Sequence, residues 1–272
     1  MPELPEVETT LRGVSPSMAG RTVADIVVRN TALRWPVPGE VRRAVGRAVG
    51  DCRRRAKYLL FGIEGADGGL LVHLGMSGSL RVCPADAPPR KHDHVDIVLD
   101  DGNCIRFHDP RRFGVFDWYE DPAEAHPLLN HLGPEPLSSA FTGTYLKTVS
   151  AGRRGAVKNF IMDGKVVVGV GNIYASEALF MAGIHPNRPA GRVSAERYDA
   201  LCQAIRDVLA RAIRRGGTTL RDFLDPGNNP GYFAQELLAY EREGLPCFRC
   251  ETPIRRKVIG QRSSYYCPRC QR

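Results

Sequence analysis

The sequence has no long apolar segment, and no apolar run approaches the ~18 residues of a membrane-spanning helix. It does not begin with a basic stretch followed by an apolar run, so no signal peptide is expected. Internal repeats and low-complexity tracts are also missing. Apolar and charged residues make up 43% and 25% of the 272 residues, as in ordinary globular proteins. We therefore expect a soluble, cytoplasmic protein with two domains of usual size.

Acidic residues are in deficit, with 30 Asp and Glu against 38 Lys and Arg, which gives a formal charge of +8. The excess is concentrated in two places. From Cys247 to Arg272, seven basic residues stand against the single acid Glu251, and a second basic cluster runs from Arg42 to Lys57. Clustered cations suit a polyanion such as nucleic acid, although a soluble domain can carry a basic face without any partner.

The two halves of the chain differ in their apolar pattern. Up to about residue 119, short apolar or alternating runs are separated by Gly, Asp and Pro, which predicts an antiparallel β domain after one helix over 6–18. Three prolines in "HPLLNHLGPEPLSS" indicate a boundary. Beyond it, "SAERYDALCQAIRDVLARAIRRGG" has helical spacing, with Ser194 as its cap and Gly216 at its end. We predict a β domain (1–130), a linker (131–145), a helical domain (146–240) and a Cys-rich module (241–272).

Four of the eight cysteines form two C-x-x-C pairs with 16 residues between them; these are Cys247, Cys250, Cys267 and Cys270. Such spacing is typical of a structural Zn²⁺ site with four thiolate ligands. Two disulfides or four idle thiols are the alternative, which the lack of an export signal disfavours. The module is too short for a core of its own, so the metal would stabilise its fold. Between the pairs we predict a hairpin that presents Arg255, Arg256, Lys257 and Arg262.

The segment "KVVVGVGNIYASEALFMAGIHP" contains a Gly-rich turn before a helix that we predict to be capped by Asn172 and ended by Gly183. Free backbone N–H groups at such a helix start form an anion site, where Asn172 would contact a phosphate. Glycines that serve only close packing are the alternative. Lys158 lies shortly before the turn and would support the same phosphate, unless it is a solvated surface lysine. The turn lacks the spacing of a dinucleotide-binding fingerprint.

Five stretches, in order along the whole chain, resemble the bacterial formamidopyrimidine-DNA glycosylases: "MPELPEVE", "HLGMSG", "HDPRRFG", "GVGNIYASEALF" and the four-Cys ribbon. The resemblance implies an α+β fold, in which an N-terminal antiparallel β-sandwich flanked by helices precedes a helix-two-turn-helix domain with a four-Cys zinc finger. It implies a monomer that clamps double-stranded DNA containing oxidised purines or abasic sites. The implied cofactor is one structural zinc ion, with no organic cofactor.

The resemblance also implies a bifunctional glycosylase and AP lyase, associated with the nucleoid, that excises 8-oxoguanine opposite cytosine and formamidopyrimidines. In the family the initiator methionine is removed and the exposed proline, here Pro2, is the nucleophile. A terminal amine suits this role because its pKa of ~8, against ~10.4 for Lys, leaves more free base at neutral pH. Glu3 resembles the general acid, and Glu6 would transfer protons or hold the terminus; the alternative for both is a helix N-terminus that favours negative charge.

Lys57 matches the family lysine that contacts phosphate beside the lesion, unless it merely ends a basic strand edge. The predicted catalytic set is Pro2, Glu3, Glu6, Lys57 and Arg262. Extruding a base leaves a gap in the duplex that wedging side chains fill. Met76, Arg111 and Phe113 fit the family's void-filling trio, with Arg111 facing the orphaned cytosine. Their alternatives are a core methionine, a surface ion pair and a core phenylalanine.

Further DNA contacts are carried over from the family to His73, His92, Lys158, Asn172, Tyr174, Tyr240 and Arg262. The Gly-, Pro- and Asn-rich stretch 216–232 resembles the loop that closes over an oxidised purine, although a plain linker would look similar. Glu251 stands where Gly is frequent, Val168 stands where Ala is common, and "RRAK" replaces a common "RRGK". Of the features carried over from the family, the geometry of the zinc finger is the one that these departures affect most.

Two other functions compete with this interpretation. An endonuclease VIII-like enzyme for oxidised pyrimidines would share the terminal proline and the finger, but typically has Gly in place of Leu4 and lacks the Arg and Phe of "DPRRFG". A non-catalytic damage-binding protein with a zinc ribbon would bind DNA in a salt-sensitive way without cleaving it. Pro2 and Glu3 are both present, which favours the enzyme.

Overall fold

The computed structural model describes residues 2–217 and 236–272. The contacts within this part of the chain separate it into two units. One unit holds residues 2–131 and 215–217, and the other holds 132–214 and 236–272. The predicted lesion-recognition loop 216–232 lies outside the described residues except for its first two glycines.

The first unit is a β-sandwich preceded by helix α1 (Leu4–Met18). Its strands are β1 (Val23–Val28), β2 (Val49–Arg55), β3 (Tyr58–Ile63), β4 (Gly69–His73), β5 (Ser79–Pro84), β6 (Asp93–Leu99), β7 (Asn103–His108) and β8 (Val115–Tyr119). They form two four-stranded antiparallel sheets, in the orders β1-β6-β7-β5 and β2-β3-β4-β8. One apolar cluster draws on both sheets and on α1, including Val14, Ile26, Phe61, Ile97 and Phe116. The predicted antiparallel sandwich is confirmed.

Strand β2 is an element that the sequence analysis read only as a basic cluster. It is an edge strand that pairs with β3 alone, and Val49 is its one fully buried residue. An edge strand tolerates arginines because one of its faces is solvated. The arginines therefore obscure the alternation of buried and exposed positions that would have indicated a strand.

The second unit contains α2 (Gly143–Val149), α3 (Val157–Met162), α4 (Asn172–Met181) and α5 (Ala195–Arg214), followed by the hairpin of β9 (Arg255–Ile259) and β10 (Arg262–Tyr266). Helix α5 buries the predicted apolar stripe, from Tyr198 to Ala212. Ser194 accepts a hydrogen bond from the backbone N–H of Arg197, as expected of a cap. The antiparallel hairpin between the Cys pairs is also confirmed. Among the described residues, no helix has both the length and the apolar character needed to cross a membrane.

The predicted cap of α4 is wrong by one residue. Gly171 is the cap, and Asn172 is the first helical residue. The reason is that the Asn172 side chain is engaged elsewhere: its Oδ1 accepts from Lys158 and its Nδ2 donates to the carbonyl of Ser263. A long-range contact has replaced the local one that the sequence favoured.

Candidate active site and nucleic-acid interface

The N-terminus of the first unit is held by a reciprocal pair of carboxylates. The backbone N–H of Glu3 donates to Glu6 Oε2 at 2.8 Å, and the Glu3 carboxylate accepts from the N–H of Glu6. This capping box begins α1, and Pro2, Glu3 and Glu6 are all buried. Gly217 lies against Glu6: a Cβ there would stand 3.0 Å from Glu6 Oε1, and its φ of +82° favours glycine. The two predicted catalytic acids therefore have a fixed mutual geometry.

Glu8 connects α1 to the turn before Lys57. Its Oε1 pairs with Arg12 Nε and its Oε2 with Arg54 Nε, each at 2.9 Å. Arg54 also donates to the carbonyl of Ala56 at 2.9 Å. Ala56 has a φ of +54°, so the "RRAK" turn holds an alanine in the left-handed region where glycine is usually preferred. This network supports the backbone next to Lys57.

His73 is placed close to Lys57 by the pairing of β3 with β4. Tyr58 and His73 are opposite each other, with ring centroids 4.8 Å apart. Burial, together with the positive charges of Lys57 and Arg34, lowers the pKa of His73 to about 4. Its Nδ1 accepts the N–H of Gly75 at 3.0 Å, so the proton of the neutral ring is on Nε2. His73 is therefore a neutral hydrogen-bond donor at pH 7.

Arg34 is a cation of this site that the sequence analysis missed. It is exposed, its charge lowers the pKa of both His73 and Tyr58, and its backbone N–H donates to the carbonyl of Gly114 at 3.3 Å. Burial raises the pKa of Tyr58 and is the larger influence on that group. The one sequence feature that could have indicated a role for Arg34 is its position as a single arginine within the otherwise apolar segment "LRWPV".

The Met76 and Phe113 loops lie against each other. At Gly75, whose φ is +64°, a Cβ would stand only 2.5 Å from the backbone of Phe113 and Gly114. Met76 and Phe113 are 36% and 43% exposed, so neither is a core residue. The Arg111 guanidinium stacks over the Phe113 ring, 5.0 Å from its centroid. The structure thus brings Met76, Arg111 and Phe113 together as an exposed group. The alternative for Arg111 was a surface ion pair, and Arg111 forms none with the residues that the structure describes.

His92 lies immediately before β6 and has a φ of +77°, which is uncommon for histidine. Its ring stands 6.3 Å from His94 and 6.1 Å from His108, centroid to centroid. Burial is the main cause of a lowered pKa at His92, followed by the positive charge of Lys91. Its carbonyl accepts the backbone N–H of Asp109 at 3.0 Å, so its backbone is joined to the segment that leads to Phe113.

Lys158, in the second unit, is wholly buried and is not a solvated lysine. Its ammonium donates to Asn172 Oδ1 at 2.6 Å, to the Ser263 carbonyl at 3.0 Å and to Ser264 Oγ at 2.6 Å. Asn172 Nδ2 donates to the same Ser263 carbonyl at 3.1 Å. The predicted phosphate contacts Lys158 and Asn172 are therefore joined to each other and to β10.

Glu177, also missed by the sequence analysis, anchors the chain that enters the finger. Its carboxylate is 1% exposed and accepts the backbone N–H groups of Leu238, Ala239 and Tyr240 at 2.8, 2.9 and 2.8 Å. Burial raises its pKa in spite of these bonds. The Tyr240 ring lies 5.1 Å from that of Tyr265 on β10, centroid to centroid.

Tyr174, two positions into the same helix, is fully buried. The predicted DNA contacts of this unit thus differ in exposure: Tyr174 is inside, Tyr240 is half-buried and Arg262 is on the surface. Arg262 begins β10 opposite Ile259, and Arg255, Arg256 and Lys257 are exposed on β9, as predicted.

The four cysteines of the finger are free thiols whose sulfur atoms all lie within 4.8 Å of one another. Four converging sulfur ligands fit a structural Zn²⁺ ion, and the predicted cofactor is confirmed.

Comparison with known proteins covers nearly the whole chain. Three family models match: the formamidopyrimidine-DNA glycosylase N-terminal domain (residues 1–116), the formamidopyrimidine-DNA glycosylase H2TH domain (132–224) and the zinc finger found in FPG and IleRS (244–272). The chain is 58% identical to a formamidopyrimidine-DNA glycosylase of Methylococcus capsulatus, over 100% of both chains.

Two solved structures match at similar coverage. The crystal structure of the MutM (Fpg) protein of Thermus thermophilus is 40% identical, with a TM-score of 0.89 over 99% of this chain and 98% of that one. A Lactococcus lactis Fpg mutant, solved in complex with DNA containing Fapy-dG, is 30% identical, with a TM-score of 0.90 over 100% of both chains.

Proposed function

The chain belongs to the formamidopyrimidine-DNA glycosylase family of base excision repair enzymes, and we propose that its own residues carry out excision of oxidised purines followed by strand cleavage. The substrates are 8-oxoguanine opposite cytosine and formamidopyrimidines in double-stranded DNA. Two features of the first unit support this together: a buried terminal group with Pro2, Glu3 and Glu6, and an exposed group with Met76, Arg111 and Phe113. A non-catalytic DNA-binding protein would not need the first group, and an enzyme for oxidised pyrimidines would lack the second.

The proposed chemistry begins at the amine of Pro2 after removal of Met1. Its nitrogen forms a bond to C1′ of the damaged nucleotide as the bond from C1′ to the base breaks. The base leaves with the electron pair and takes up the proton that the Pro2 nitrogen gives up, which frees the nitrogen lone pair. Glu3 gives a proton to the sugar ring oxygen, so that the ring opens and an iminium joins Pro2 to C1′. Loss of a C2′ proton then expels the 3′ phosphate, and loss of a C4′ proton in a second elimination expels the 5′ phosphate.

Glu6 and Glu8 support this chemistry through the backbone. Glu6 holds the N–H of Glu3, which fixes the general acid relative to the nucleophile beside it. Glu8 and Arg54 hold the turn that precedes Lys57. Lys57 and Arg262, each in its own unit, then provide phosphate contacts that orient the lesion.

DNA binding divides between charged and neutral donors. Lys57 and Arg262 neutralise phosphates, whereas His73 donates from a neutral ring and Asn172 lies at the start of α4. Lys158 contributes by holding Asn172 and β10, given its burial. His92, Tyr174 and Tyr240 complete the proposed interface. We further propose that the protein acts as a monomer in the cytoplasm, associated with the nucleoid, where its DNA substrate is found.

Borohydride trapping tests the proposal. The purified protein, with removal of Met1 verified by mass, is incubated with a duplex carrying 8-oxoguanine opposite cytosine, and the reduced adduct is mapped by mass spectrometry. An adduct on Pro2 is expected. Protein that binds the duplex but forms no adduct would contradict the proposal.

The Glu3→Gln variant separates the chemical step from binding. It should bind the same duplex with little change in Kd but fail to excise the base, because the amide cannot donate the proton to the ring oxygen. Excision near the wild-type rate would overturn the assignment of Glu3. Glu40→Gln is a matched control: Glu40 is an exposed acid of the same unit and should leave both quantities unchanged.

A further inference from the structure

Asp109 is a fully buried carboxylate between β7 and β8, in the segment that leads to Arg111 and Phe113. Its Oδ1 accepts the hydroxyl of Ser77 at 2.9 Å and the N–H of Arg111 at 3.3 Å. Its Oδ2 accepts the N–H of Gly114 at 2.7 Å. One carboxylate thus contacts both the loop that carries Met76 and the loop that carries Arg111 and Phe113.

The backbone of Asp109 makes further bonds. Its N–H donates to the His92 carbonyl at 3.0 Å, and its own carbonyl accepts from the Arg112 N–H at 3.2 Å. The same carbonyl is 2.8 Å from His94 Nε2. Asp109 is therefore bonded to three separate segments, each of which bears a proposed DNA contact.

We propose that Asp109 is a positioning residue that holds Met76, Arg111 and Phe113 in the geometry needed to fill the space left by the extruded base. The inference rests on the proposed function of those three side chains. Asp109 does not touch DNA; it acts through the two loops.

The physical reason is preorganisation. Unstacking a base costs free energy, and the inserted side chains can offset that cost only if their loops are already ordered when they meet the duplex. Neither loop belongs to a strand, so ladder hydrogen bonds do not hold their tips. The close approach of Gly75 to Phe113 and Gly114 leaves no room for side chains, but contact alone does not fix the direction of Met76 or Phe113.

The geometry also requires a carboxylate in particular. Three N–H and O–H donors converge on two acceptor oxygens. An asparagine amide offers one oxygen, and its NH₂ group would face a donor, so either Gly114 or the pair Ser77 and Arg111 would lose its acceptor. Asp109→Asn therefore preserves the shape and removes the hydrogen bonds on one side.

The test compares two activities of the full-length enzyme. The first is single-turnover excision of 8-oxoguanine from a duplex with 2-aminopurine beside the lesion, whose fluorescence reports unstacking. The second is cleavage at an abasic site in single-stranded DNA, where no stacked partner has to be displaced. Asp109→Asn should lower the first by about 10- to 100-fold, the size expected for lost buried hydrogen bonds, and reduce the fluorescence amplitude. The ratio of the first activity to the second should fall.

Two further variants interpret that result. Ser77→Ala removes only the bond to the Met76 loop and should lower the same ratio by a smaller factor, so the inference stays testable if Asp109→Asn does not fold. Asp96→Asn is the matched control: Asp96 is equally buried but is paired with Arg29 and Arg106, so its loss should lower stability without changing the ratio.

Three outcomes would overturn the inference. The ratio could be unchanged in both Ser77→Ala and Asp109→Asn, or folded Asp109→Asn could lose both activities equally. The third outcome is a fall of the ratio in Asp96→Asn as large as that in Asp109→Asn. Failure of the proposed function gives a different pattern. The wild-type enzyme would then cleave abasic DNA without excising 8-oxoguanine, or Phe113→Ala would excise the lesion at the wild-type rate.

Discussion

Two regions of the molecule use buried charge in opposite ways. In the first unit, the group proposed to fill the void is exposed, and its loops are held by the buried carboxylate of Asp109. In the second unit, the lysine predicted to contact phosphate is itself the buried group, because Lys158 bonds Asn172 and β10 from inside. The comparison teaches that residues predicted to contact DNA differ in burial: some face solvent, whereas others are bonded within the protein.

The largest effect is expected from the zinc cluster, which has no counterpart among the described residues of the first unit. Structural zinc contributes about 10–16 kcal/mol in zinc-finger peptides, so Cys267→Ser should lose the metal, unfold the finger and abolish duplex binding. Zinc content and an electrophoretic binding assay measure this. Cys83→Ser, in β5 and outside the cluster, should keep both the metal and the binding. A Cys267→Ser protein with one bound zinc and wild-type affinity would contradict the expectation.

Lys158 and Lys57 allow a direct comparison of a wholly buried lysine with a half-buried one. Lys158→Met leaves Asn172 Oδ1 and Ser264 Oγ without their donor, so the free energy of unfolding should fall by about 2–4 kcal/mol. Lys57→Met should instead lower the slope of log K against log salt by about 0.9, with little change in stability. Urea unfolding and binding titrations at several salt concentrations measure the two. An equal reduction of the slope in Lys158→Met would mean that the Lys158 ammonium reaches phosphate.

His73 should give the first unit a stability that declines in acid. Its folded pKa of about 4 is below the ordinary 6.5, so the stability of the neutral ring is fully present above pH 6.5 and is lost as the pH falls toward 4. Well below pH 4, where the ring is fully protonated, the loss is about 3 kcal/mol. Relative to His73→Gln, the wild-type unfolding free energy should decrease between pH 6.5 and 4.

Two controls sharpen this measurement. His131→Gln replaces an exposed histidine and keeps His73, so its unfolding free energy should decline in acid as that of the wild type does. The salt dependence of DNA binding should be the same in His73→Gln as in the wild type at pH 7, because a neutral donor releases no counterion. A reduced slope would show that His73 is charged in the complex.

The smallest effect is expected at Glu8, where two arginines share one carboxylate. Arg54 is 12% exposed and Arg12 is 63% exposed. Arg54→Met should lower the unfolding free energy by about 1–2 kcal/mol and slow excision a few-fold, because the turn before Lys57 loses its hydrogen bond. Arg12→Met should change stability by less than about 0.5 kcal/mol. Equal effects of the two substitutions would show that Arg54 does not support the turn.

Local patterns explain which expectations were met. The sandwich strands, the α5 stripe and the finger hairpin follow from alternation, helical spacing and the Cys pairs, which a short window of sequence contains. Arginines obscure the alternation of strand β2, and the partners of the Asn172 side chain, Lys158 and Ser263, are distant from it in sequence. Ser77 is 32 positions from Asp109, and Leu238 is 61 positions from Glu177, so no window could have joined them.

The sequence by itself determined the four cysteines of the zinc site, the terminal proline with its carboxylates and the antiparallel β character of the first domain, because each depends on residue type and near spacing. Only the tertiary structure decided that Lys158 is buried while Lys57 is not, that His73 is neutral, and that Asp109 holds two loops at once. Burial, pKa and hydrogen-bond partners depend on which distant residues displace water from a group, and that is known only after the chain has folded.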